Sequence, residues 1–111
     1  MKKVLLAIAL ATGAGNALAL SGNDLLEYAR AREGNLEISI NVLRGGVWIG
    51  FIHGTAATLM EIDPRVCLPT GSTNGQWAAV VKQYLEQNPA QLHRPAHNLV
   101  REALQRAFPC R

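Results

Sequence analysis

The chain has 111 residues, of which 49% are hydrophobic and 17% charged, with a formal net charge of +3. That length holds at most one small domain and leaves no room for a multidomain enzyme. The apolar fraction excludes a disordered tail, and two cysteines are too few for a cysteine-dense scaffold.

The first segment reads as an export signal. Lys2 and Lys3 form a basic start, Val4 to Ala11 an apolar stretch, and Ala17-Leu18-Ala19 a small-residue cleavage site. This order is that of a secretory signal peptide over residues 1–19, followed by a domain over residues 20–111. No apolar run approaches the roughly 20 residues that a spanning helix needs, so no membrane anchor is expected after residue 19. Losing Lys2 and Lys3 brings the remainder close to neutral, which argues against nucleic acid or anionic membrane as the main partner.

Export changes the meaning of Cys67 and Cys110, the two cysteines of the chain. In an oxidising compartment they are expected to pair as a structural disulfide, worth about 4 kcal/mol through the unfolded state. A reactive thiol or a metal ligand is the rival reading, but no nucleophile motif surrounds either residue.

In chain order, Ser21 or Asn23 can cap a first helix carrying Leu25, Tyr28 and Ala29 on one face and fading at Gly34-Asn35. The segment Leu36–Ile52 supports two readings. Leu36, Ile38, Ile40 and Val42 alternate as in a strand, and Arg44-Gly45-Gly46 could turn into a second strand. Leu36, Ile40, Leu43, Val47 and Phe51 instead share one face of a helix. On a helix Gly46, Gly50 and Gly54 would form a flat stripe, expected to pack against another helix or a second protomer.

Pro64 to Gly75 reads as a connecting loop containing Cys67. Thr73 and Gln76 have capping-box spacing, and Trp77, Val80, Val81, Tyr84 and Leu85 then make an apolar helical stripe ended by Asn88-Pro89. A last helix starts near Pro95, with Ala96, Leu99, Val100, Ala103, Leu104 and Ala107 on its inner face. The expected fold is mainly α: a small single-domain bundle of about four helices tied by one disulfide.

Chemistry is sparse. His93 and His97 have the spacing of two metal ligands but no intervening Glu and no third partner, so no metal site is expected. His53 lies among glycines, and Glu61 and Asp63 read as a solvated loop edge. Trp48 and Trp77 are expected in the core. With no catalytic constellation and no cofactor motif, the residues favour a binding protein over an enzyme.

The stretch from Val66 to Cys110 resembles the Rap/Tai family of type VI secretion immunity proteins. The resemblance rests on C-L-P at Cys67–Pro69, Gly75-Gln76, Tyr84-Leu85, Asn88-Pro89, Leu92-His93 and A-F-P-C at Ala107–Cys110, with Gly50 to Gly54 upstream. It implies a helical periplasmic protein with one disulfide, often dimeric, that blocks an imported peptidoglycan amidase by occluding its cleft. It tips Leu36–Ile52 toward helix and assigns no effector-contact residue. From a different class, a periplasmic stress or acid-type chaperone shares the same gross features.

Overall fold

The computed structural model describes residues 20–33 and 39–111. The expected signal peptide over residues 1–19 lies outside the described residues, as do Leu36 and Ile38 of the ambiguous segment. Among the described residues four α-helices follow one another: α1 (Gly22–Glu33), α2 (Ser39–Ile62), α3 (Asn74–Gln87) and α4 (Ala96–Ala107), with a 3-10 turn at Pro89–Gln91. No helix among the described residues is long and apolar enough to cross a membrane.

Helix α1 begins in a reciprocal cap. The Ser21 hydroxyl accepts from the Asp24 amide at 3.2 Å, while the Asp24 carboxylate accepts from the Ser21 amide and hydroxyl, each at 2.9 Å. Two further amides of this first turn, those of Gly22 and Asn23, donate to the carbonyls of Arg94 and Leu92 at 2.9 Å. Amides that a helix start leaves without internal partners are thus used to dock α1 on the turn before α4. The approach is close enough that a Cβ on Gly22 would strike Leu99 and come within 3.0 Å of Leu92 backbone atoms.

The ambiguous middle segment is helical from Ser39 onward, in one helix of 24 residues, so the hairpin alternative does not form there. Its inner face differs from the one that spacing suggested. Trp48, Ile52, Ala56 and Leu59 are buried, whereas Leu43 and Val47 are 63% and 39% exposed. Both faces have helical spacing, and the larger aromatic and the continuous set of four positions decide which one meets the core. Of the two partners expected for the glycine stripe, another helix of the chain does not meet it among the described residues. A Cβ on Gly46, Gly50 or Gly54 would meet no atom within 4 Å, so this stripe packs against nothing among the described residues. The close helix contact is one residue away, at Gly45, where a Cβ would lie 3.2 Å from Arg32 Cβ of α1. An ion pair between Arg44 and Glu27, at 3.3 Å, spans the same two helices.

After α2, Gly71 adopts φ +86° in a turn closed by the Ser72 amide on the Pro69 carbonyl at 3.0 Å. Thr73 and Gln76 form the expected capping box at the start of α3. Ala78, Val81, Tyr84 and Leu85 of α3 are buried, with Trp77 and Val80 half-buried. The inner face of α4 is Ala96, Leu99, Val100, Ala103 and Leu104; Ala107, expected beside them, is exposed. Trp48 is in the core, and Trp77 packs against its edge while donating its indole N–H to Ser72 Oγ at 2.9 Å.

Cys67 and Cys110 form a disulfide across 43 residues of sequence. Beside it the Cys67 amide donates to the Phe108 carbonyl at 2.9 Å, and Val66 pairs with Pro109. The link ties the end of α4 to the loop that follows α2.

Two stability predictions follow from these contacts. Gly22→Ala should cost about 1–3 kcal/mol, read as a lowered urea midpoint, because Leu92 backbone cannot yield as a side chain would. Cys67→Ser and Cys110→Ser should lower stability equally, by about 4 kcal/mol each, since each removes the same cross-link. Unequal losses would reveal a separate role for one sulfur.

Candidate functional site

The residues with reactive side chains do not converge. His53 is on the exposed side of α2, its ring centroid 6.4 Å from that of Trp77. His93 lies in the turn before α4 and His97 in the first turn of α4, and both are exposed. Among the described residues no group of three His, Cys, Asp or Glu is placed to hold a metal ion. The cysteines are consumed in the disulfide, so neither offers a thiol.

Asp63 departs from the solvated loop edge expected for it. It is buried, accepting from the Arg65 amide at 2.9 Å, from Arg65 Nε at 3.1 Å and from Gln105 Nε2 at 2.9 Å. These bonds, led by the Arg65 amide, hold its carboxyl below the ordinary value of 3.8 against the opposing effect of burial. Asp63 therefore fastens the end of α2 to α4. Spacing beside Pro64 could not reveal this, because Gln105 is 42 residues away.

A second polar cluster braces α3, α4 and the turn between them. Glu102 accepts from Tyr84 Oη at 2.8 Å and from Arg94 Nη1 at 3.0 Å, with a further bond from Arg94 Nη2. The Arg94 hydrogen bond is the main reason that the Glu102 carboxyl lies below its ordinary 4.5. Burial, followed by the hydrogen bond to Glu102, raises the Tyr84 phenol above its ordinary 10.0. Arg106 stands 5.3 Å from the centre of the Tyr84 ring. Glu102, Tyr84 and Arg94 engage one another through these bonds, which suits a brace better than a reaction centre.

What remains available to another molecule is surface. Helix α2 turns outward a face of Leu43, Gly46, Val47, Gly50 and Gly54, with Val42 and Met60 also more than half exposed at its margin. Arg44 and Glu61 are the only charged residues among its 24. Such an uncharged, glycine-smoothed face lets another backbone approach closely. Hydrophobic spacing in the sequence exposed both faces of α2, but only the packing of Trp48 and Ile52 showed which one faces out.

A disulfide-tied helical domain with braced polar clusters and an open apolar helix face belongs to the class of binding proteins. The model of the Rap1a immunity proteins matches residues 21–110, and the chain belongs to that family. An immunity protein acts by engaging a cognate effector. No curated protein matches the chain.

The braces give a pH prediction. Asp63 and Glu102 have lowered pKa values in the folded state, so their contribution is complete above their unfolded values and is lost as pH falls through the lowered ones. Urea midpoints should stay level from neutrality to about pH 5 and decline below about pH 4.5. Glu102→Gln should lower stability at neutral pH and flatten that decline. An unchanged acid slope in this variant would remove Glu102 from the account.

Proposed function

We propose that this protein is a periplasmic immunity protein that neutralises a type VI secreted peptidoglycan amidase by covering its active cleft. The observation that carries the reading is the family match over residues 21–110. The Cys67–Cys110 disulfide supports an oxidising compartment, and the basic and apolar start of the chain supports export. The reaction is inhibition by occlusion, with no bond made or broken by this chain. Occlusion requires a stable interface, typically ~1,600 Å² with a few dominant anchors, and no titrating group near neutrality.

The test is a titration of hydrolase activity on purified peptidoglycan, using a panel of purified type VI peptidoglycan amidases. Inhibition should be stoichiometric, and replacing His53, His93 and His97 together with Gln should leave it intact. Substoichiometric inhibition would contradict occlusion and indicate catalytic inactivation of the effector.

The glycine face of α2 supports a homodimer in which two copies of the helix cross at Gly50. A two-fold contact needs a self-complementary patch, and an uncharged helix face brings no like charges together. Gly50→Leu should convert dimer to monomer in sedimentation while leaving the monomer's melt unchanged, because a Cβ there meets no atom of the described residues within 4 Å. Identical sedimentation of wild type and variant as dimers would place the contact elsewhere.

A further inference from the structure

Beside the outward glycine face, α2 and α4 enclose a groove of about 360 Å³. Leu59 and Ile62 supply its apolar surface, Thr55 and Thr58 line the α2 side, and His97 and Arg101 line the α4 side. Ile62 is 71% exposed, the highest of any large apolar residue among those described, whereas Leu59 is buried behind it. Among the described residues no carboxylate lines the groove. The Thr58 hydroxyl is already engaged, donating to the Gly54 carbonyl at 2.8 Å.

Arg101 is handled differently from the arginines that build the fold. Arg44, Arg65 and Arg94 each reach a carboxylate. Arg101 instead donates from Nη2 to the neutral Asn98 side chain at 3.3 Å, and no carboxylate pairs with it among the described residues. A half-buried guanidinium at the rim of an apolar concavity combines a planar, bidentate donor with a surface that excludes water. Its chemical complement is an aliphatic side chain with a carboxylate close by on the same segment.

We infer that this groove is the contact that seats the cognate effector: an effector segment lays an aliphatic side chain on Leu59 and Ile62 and places a carboxylate on Arg101. The inference rests on the immunity reading and adds to it the docking surface and the chemistry of the docked segment. A charged contact of this kind is sensitive to salt, whereas a purely steric one is not.

Calorimetric binding of the purified type VI peptidoglycan amidases to this protein tests it, at low and high salt. Arg101→Glu should weaken binding by about 30-fold or more and remove most of the salt dependence. Ile62→Ser, at a side chain facing solvent, should weaken binding about tenfold with salt dependence and thermal melt both retained. Because Ile62→Ser leaves the core untouched, it decides the matter even where Arg101→Glu disturbs folding. Wild-type affinity in Ile62→Ser, or wild-type affinity and salt dependence in folded Arg101→Glu, would overturn this groove as the docking site. A wild-type protein that binds none of these amidases would contradict the immunity reading itself.

Discussion

Both ends of α4 are pinned by backbone hydrogen bonds to segments far away in sequence, and the remaining helices are arranged around that constraint. At its start the Ala96 amide donates to the Leu20 carbonyl at 2.7 Å; just past its end, Phe108 accepts from the Cys67 amide at 2.9 Å. The disulfide makes the second attachment covalent. Leu99, Val100 and Leu104 are fully buried between these two anchors. A helix of only 12 residues would be marginal alone, so its stability comes from these ties and from its buried face. Gln105 extends the arrangement by holding Asp63, which places the end of α2 against α4 and shapes the groove between them.

Helix α2 divides its surface between two purposes. Trp48, Ile52, Ala56 and Leu59 face the core, and Gly45 lets α1 come close. The opposite side spends three glycines where alanine would favour the helix by about 1 kcal/mol each. Nothing in the packing of the described residues requires them, since a Cβ at each would meet none of their atoms within 4 Å. The outward face is thus poorly optimised for the isolated protomer and well suited to a close partner. The energetic logic of the molecule is a small, cross-linked, braced frame that holds one long helix with its smooth side outward.

The helix count among the described residues, the Thr73 capping box, the inner face of α4 apart from Ala107, and the Cys67–Cys110 pairing were legible in the sequence because each is a local rule or an arithmetic necessity. Two cysteines allow one intramolecular pair, and a capping box is written within four residues. The orientation of α2 was not legible, because Leu43 with Val47 and Trp48 with Ile52 both have helical spacing. Only tertiary competition for the core separates them. Gly45 was overlooked for the same reason: the regular spacing of Gly46, Gly50 and Gly54 drew attention to the face that stays open. The groove could not be read at all, since it joins Ile62 to Arg101 across two helices. Asp63 and Glu102 are likewise defined by partners that no local pattern announces.

The chain belongs to a family of immunity proteins, and the surface proposed for its partners is the outer side of α2 and its border with α4. Site-specific photocrosslinking measures this most directly, with a photoreactive residue at Ile62 in one variant and at exposed Gln83 of α3, outside the groove, in another. Each would be mixed with the amidase that the protein inhibits and the products resolved by mass spectrometry. The account predicts a one-to-one crosslink from position 62 and none from position 83. A crosslink from position 83 alone would contradict it.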